Sequence, residues 1–190
     1  MTRYPRPGIG IALAVLSLLA GCARESEQNP EPLIEFLEAF EAAWEARDIG
    51  EYGELLAPNE FTFHFDDDVD APPRADTWSY EDELDAVGGL FAEARHVELE
   101  LDQQWDFVEY HPDADELSVY EIGYELVIDY GDGERVADGG FNLRLVRRDD
   151  GDEERWLLAE WWDVVPYEIG GTTWGTFKLE HTEGHVASTP

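Results

Sequence analysis

Apolar positions change their period along this chain, and each change marks a different element. Ile9 to Ala20 is a short apolar run behind Arg3 and Arg6. It is too short to cross a bilayer as a helix, which takes roughly 20 apolar residues. Leu33, Phe36, Leu37, Phe40, Ala43 and Trp44 then recur at i, i+3, i+4, i+7. That spacing predicts one buried stripe on a helix ending near Arg47, with Asn29 as N-cap and Pro30 in the first turn. Asp48 and Glu51 form a capping-box pattern for a second, shorter helix carrying Ile49, Tyr52, Leu55 and Leu56, which Pro58 stops. Two helices joined so tightly should pack as a hairpin. The period then falls to two at Phe61-Thr62-Phe63-His64-Phe65, which predicts a strand. After an acidic, proline-containing loop, Ser79 and Asp82 open a third helix with Leu84, Val87, Leu90 and Phe91 on one side. Gly88-Gly89 weakens it by up to ~1 kcal/mol per glycine.

From Val97 onward the chain reads as an antiparallel meander. Val97, Leu99, Leu101, Trp105 and Phe107 share one parity and acidic residues the other, as in a sheet with one buried and one wet face. Leu117 to Tyr130 is a long strand whose apolar parity switches near Val119-Tyr120, which predicts a bulge or a strong bend. Gly131-Asp132-Gly133 turns the chain into Val136 to Arg147, and Trp156 to Val165 closes the series. Trp174 to Lys178 reads as a short strand or a turn that docks Trp174 on the domain, followed by a polar, frayed end.

Helix-helix-strand-helix followed by long antiparallel strands is an α+β order. The stretch Trp44-Glu45-Ala46-Arg47-Asp48 leading to Tyr52 and Leu55-Leu56-Ala57-Pro58, then Phe61 to Phe65, resembles the NTF2-like superfamily. So does the closing strand Trp156-Leu157-Leu158 with Trp161 and Asp163. The resemblance covers residues 31–165 and implies an NTF2-like cone, in which N-terminal helices pack on a strongly curved antiparallel sheet around a pocket. SnoaL-type polyketide cyclases and ketosteroid isomerase share that cone. The expected organisation is thus residues 1–21 as a signal peptide, 22–30 as an anchor and tether, 31–165 as the cone, and 166–190 as a C-terminal extension.

Leu19-Ala20-Gly21-Cys22 closes the apolar run and resembles the lipobox of bacterial lipoproteins, in which the cysteine is acylated and becomes the first mature residue. Cys22 is the only cysteine, so the exported domain must be stable without disulfides. Two or more acyl chains give stable membrane attachment. The resemblance implies a lipid-anchored envelope protein. Ala23 is not the aspartate associated with inner-membrane retention, so the outer membrane, facing the periplasm, is the expected address in a two-membrane host.

The formal charge is −33, and removing Arg3 and Arg6 with the signal takes it to −35. Such a field repels nucleic acid and anionic head groups, since phosphate binding needs Lys and Arg to replace counterions. Lys178 is the only lysine, and the acids are spread along the chain as a solvated surface suited to salty surroundings. Capture of cations or basic partners is the alternative use of that surface.

Candidate chemistry rests on aromatic and acidic residues. Trp44, Tyr52, Trp78, Trp105, Tyr124 and Trp161 are the candidates to line a pocket for a small apolar ligand, or else they are ordinary core. Asp163 ends the last strand beside two tryptophans, and a carboxylate in an apolar cavity gains the raised pKa that a general base or proton donor needs. Glu160 differs from it in parity, so only one of the two can face the cavity of a regular strand. His64 lies opposite three phenylalanines and is the third catalytic candidate. Asp66, Asp68 and Asp70 match the first ligands of an EF-hand loop, but Ala71 and Thr77 stand where Gly and Glu belong, and no zinc spacing is present. No metal or cofactor is expected. Three functions follow: binding of a small apolar ligand or an envelope partner, an isomerase- or cyclase-type enzyme, or a structural envelope protein, with a homodimer through the outer sheet face as one form.

Overall fold

The computed structural model describes residues 30–65, 77–102, 107–111, 115–150, 153–164 and 172–186. The expected signal peptide and acidic loop, with Cys22, Asn29 and Trp105, lie outside the described residues. Helix α1 (Glu31–Ala46) buries Leu33, Phe36, Leu37, Phe40, Ala43 and Trp44, the whole predicted stripe. Its N-cap is Pro30 rather than Asn29, without a side-chain cap, and Arg47 ends it in the left-handed conformation. Asp48 caps α2 (Ile49–Glu54) by accepting from the amides of Gly50 and Glu51. The amide of Asp48 itself bonds Ala43 of α1, so only half of the capping box forms. Strand β1 (Thr62–His64) pairs with β2 (Thr77–Ser79), a short strand that the sequence pattern did not suggest. Ser79 and Asp82 form the full capping box of α3 (Tyr80–Glu93).

The predicted strand from Val97 to Phe107 is two strands, β3 (His96–Leu101) and β4 (Phe107–His111). They pair with different halves of β5 (Glu116–Asp129): β4 with Glu116–Tyr120, β3 with Tyr124–Asp129. Between the halves the ladder of β5 with β6 (Glu134–Asp150) shifts register from Val119 to Ile122, and Glu121 has φ of 59°. This is the bulge that the parity switch predicts. The Asn142 side chain accepts the amide of Glu121 at 2.7 Å, replacing the lost ladder bond. A second register shift separates Arg144 from Leu145 opposite β7 (Glu153–Val164). The sheet runs β2-β1-β7-β6-β5-β3 with β4 also on β5, and β1 lies parallel to β7. Bulges in two long adjacent strands bend the sheet around the helices.

The largest departure from expectation is at the C-terminus. Trp174–Val186 is a helix, α4, not a short strand or turn. Trp174, Phe177 and Leu179 belong to the same core cluster as α1 and the sheet, so the packed domain does not end at residue 165. Thr173 stands at its N-cap position, where its hydroxyl accepts the amide of Thr176 at 3.3 Å. Among the described residues no helix is long and apolar enough to cross a membrane.

Candidate functional site

The candidate site is the interior of the cone, where polar groups from four elements converge on α4. Parity sends Trp161 and Asp163 of β7 inward and Glu160 and Trp162 outward. Trp44, Tyr52 and Trp161 are wholly buried, and Tyr124 and Trp78 nearly so. The structure brings most of these rings together, but around α4 rather than around an open space. The Trp174 ring lies 4.6 Å from Trp44, 4.9 Å from Trp161, 5.0 Å from Tyr124 and 5.7 Å from Phe40. Trp78 sits at one side, against Phe63 and Phe65. The aromatic lining anticipated for a ligand thus holds the protein's own tryptophan.

Asp163 and Tyr124 hold the first turn of that helix. Asp163 Oδ2 accepts the Gly175 amide at 2.8 Å, and Tyr124 Oη accepts the Trp174 amide at 2.8 Å. Tyr124 in turn donates to Asp163 Oδ1 at 3.4 Å. The first amides of a helix lack intrahelical partners and carry a positive partial charge, so a carboxylate and a hydroxyl suit them. Burial holds the Asp163 carboxyl above the usual carboxylate range, against the pull of Gly175, Thr173, Lys178 and Tyr124. Burial, then the Asp163 charge, pushes the Tyr124 hydroxyl far up. Gly175 is required here, because a Cβ would stand 2.8 Å from Asp163 Oδ2.

One turn further along, Lys178 lies buried with its Nζ 2.7 Å from Glu83 Oε1 of α3. The ammonium also sits 3.8 Å from the Trp161 ring centroid and 3.9 Å from that of Phe63. Tyr52 donates to the same Glu83 oxygen at 2.5 Å. Burial lowers the Lys178 pKa, while Glu83 and then Asp163 support its charge. Burial beside the Glu83 charge raises that of Tyr52 well above its ordinary value. The sequence reading singled out neither Glu83 nor Lys178 for chemistry. Glu83 was detectable as the one acid lying four and seven residues before Val87 and Leu90, inside the apolar stripe. Lys178 was detectable as the sole lysine between Phe177 and Leu179.

His64 and Glu160 lie outside the cone. His64 stacks on Trp162 at 4.8 Å, its Nε2 is 3.6 Å from Glu160, and Glu160 pairs with Arg144. They are half-buried on the outer sheet face and do not meet Asp163, so the three proposed catalytic residues form no common site. Open cavities adjoin the domain, and two of them carry several charged groups. One of 640 Å³ runs from Tyr124 to the acids Glu100, Asp102 and Asp138 over Gly123, Gly139 and Gly140. The other, of 570 Å³, lies between the end of α3, the β5–β6 turn and α4. Among the described residues no cluster of three or more His, Cys, Asp or Glu side chains could hold a metal ion.

Comparison with solved structures gives the fold. A protein of Novosphingobium aromaticivorans provisionally named an aromatic ring hydroxylase superposes with a TM-score of 0.57 at 14% identity, covering 74% of this chain and 91% of its own. An NTF2-like superfamily protein of Salmonella enterica serovar Typhimurium gives 0.55 at 12% identity, over 73% and 91%. An NTF2-like protein of Rhodospirillum rubrum gives 0.53 at 16%, over 70% and 98%. The fold is α+β and NTF2-like. No family model and no curated protein matches the chain.

Proposed function

We propose that this chain is a bacterial lipoprotein, acylated at Cys22, which displays a non-catalytic NTF2-like domain at the outer membrane, facing the periplasm. The observation that supports the non-catalytic reading is the docking of α4. Its first amides occupy Asp163 and Tyr124, and Trp174 fills the space among Trp44, Tyr124 and Trp161. A small apolar ligand in the cone would have to displace that helix and its buried ion pair. Function then falls to the outer surface: a structural or partner-binding module, with pairing of two copies through the outer sheet face as one form.

Native mass spectrometry of the purified protein, before and after exposure to host lipids and metabolites, tests the occupied cone. The expected result is no retained mass of several hundred daltons, and one that persists overturns the occupied cone. Replacing Cys22 by Ala should move the protein from the membrane to the soluble fraction. An unchanged distribution would sink the lipid anchor.

A second reading, an isomerase- or cyclase-type enzyme, is favoured by one observation. Asp163 combines a raised pKa with a tyrosine hydroxyl 3.4 Å away, a pair that can hold and pass a proton. It requires α4 to leave the cone. The likeness to solved structures carries the fold and no activity.

A further inference from the structure

The 570 Å³ cleft outside the cone is of ordinary size for a small-molecule site, and its charges are mixed rather than acidic. Arg95 stands on one side. Every other described guanidinium is engaged: Arg135 with Glu180, Arg144 with Glu160, Arg147 with Asp115, Arg148 with Glu60, Arg155 with Glu54, and Arg47 on the Ala94 carbonyl. For Arg95 there is no carboxylate within ion-pair distance among the described residues, in a chain with 45 acids. It lies against the β5–β6 turn because that turn places Gly131 beneath it. Gly131 has φ of 86°, and a Cβ there would overlap the guanidinium. Glu93 and Asp132 line the same cleft and are exposed.

Its wall is fixed by a chain of hydrogen-bonding groups. Tyr130 Oη lies 3.0 Å from His181 Nε2, the two rings stack at 5.6 Å, and His181 Nδ1 lies 3.6 Å from Glu93. Burial keeps His181 neutral towards lower pH and pushes the Tyr130 hydroxyl up to about 12. Whichever tautomer His181 adopts, the neutral Tyr130 hydroxyl keeps an oxygen lone pair for a donor in the cleft. Arg135, which also lines the cleft, sits 4.9 Å from the Tyr130 ring centroid and is held by Glu180.

We propose that this cleft binds a small zwitterion bearing both a carboxylate and an ammonium group, such as a free amino acid, with Arg95 taking the carboxylate and Glu93, Asp132 and Tyr130 Oη surrounding the ammonium. The net charge of the whole protein decides between ligand classes. A simple anion meets a chain at −33, and a simple cation meets Arg95 and Arg135 at close range. A zwitterion carries no net charge into that field, yet gains a guanidinium–carboxylate contact, which can be bidentate, and a carboxylate–ammonium contact. Glu180 and His181 belong to α4, so this site rests on the reading in which that helix stays docked in the cone.

The test is an NMR titration of the purified full-length protein with glycine and with its two halves, acetate and methylammonium. Glycine should shift the resonances of Gly131, Tyr130, His181 and the Arg95 side chain saturably, at least about tenfold more tightly than either half, a gap of ~1.4 kcal/mol. Arg95 is exposed, so Arg95→Ala should leave the remaining spectrum in place and weaken glycine binding by about tenfold or more. Arg155→Ala, on the far pair with Glu54, should leave binding unchanged. Shifts by acetate or methylammonium equal to those by glycine would overturn the proposal. So would glycine binding indifferent to Arg95→Ala, or no shift at tens of millimolar.

Discussion

Replacing Lys178 by Met is the sharpest test of how the cone is closed. The side chains of Lys178 and Glu83 have no solvent exposure, and their charged atoms are 2.7 Å apart. At an effective dielectric of ~20, two unit charges at that distance attract by roughly 6 kcal/mol. Taking each ion out of water costs several kcal/mol, so the intact pair comes close to breaking even. Losing one member does not. Met keeps the aliphatic stem between Trp161 and Phe63, so no large cavity opens, but Glu83 is left buried with the Tyr52 hydroxyl donating to Oε1 and no donor to Oε2. The expected loss is ~3–5 kcal/mol, a large share of the 5–15 kcal/mol that typically holds a domain. Urea unfolding followed by tryptophan fluorescence measures it directly, since the Lys178 ammonium lies over the Trp161 ring. The double variant Glu83→Gln/Lys178→Met removes both charges and keeps an acceptor for Tyr52. It should recover at least ~2 kcal/mol over the single variant. A single variant that loses under ~1 kcal/mol, or a double variant no better than the single, would refute a buried, mutually compensating pair.

Two pH effects follow from the other ends of α4. His181 has its pKa lowered from 6.5 by burial, so its contribution to stability is present above that value and lost as pH falls through the folded-state value. The urea midpoint should decline on the acid side, and His181→Gln should flatten that limb; an unchanged slope counts against a buried neutral imidazole. Asp163 has its pKa raised from 3.8, chiefly by burial, so its contribution is present below 3.8 and lost as pH rises through the folded-state value. Asp163→Asn keeps an acceptor for the Gly175 amide but cannot ionise, so any deficit of the variant should narrow as pH rises through the folded-state value. A deficit that widens with pH instead would mean that the carboxyl is not desolvated.

Much of the cone could be read from period alone, because apolar residues decide which face of a regular element is buried. Phe61, Phe63 and Phe65 turn in and His64 out, as alternation requires. The parity switch at Val119-Tyr120 became the bulge at Glu121. What period could not convey was anything that depends on a distant partner. β2 exists because Trp78 pairs with Phe63, a residue distant in sequence. α4 was misread because its buried positions include a threonine cap, a glycine and a lysine, which break an apolar stripe. They are buried because Asp163, Tyr124 and Glu83 wait for them in other elements. The site was legible in Asp163 and Tyr124 as inward polar groups. Their occupant was not.

Those partners also bear on whether α4 is a cover or a part of the structure. Among the described residues, Glu83, Asp163, Thr173 and Lys178 are the buried polar or charged side chains, and all four lie in or against this helix. An interior prepared for an exchangeable apolar ligand would not need a carboxylate from α3, a carboxylate from β7 and a tyrosine from β5 aimed at one helix. Buried polar groups without partners cost ~1–3 kcal/mol each, more when charged. Removing Trp174 and Phe177 exposes further core, at ~3–5 kcal/mol per aromatic ring lost. A chain ending at residue 170 combines both losses and should not fold cooperatively. It should show collapsed near-ultraviolet circular dichroism and bind an apolar dye such as ANS. If that chain instead unfolds cooperatively near the full-length midpoint and acquires binding of an apolar compound, then α4 is a removable plug over a ligand cavity. The second functional reading would then displace the first.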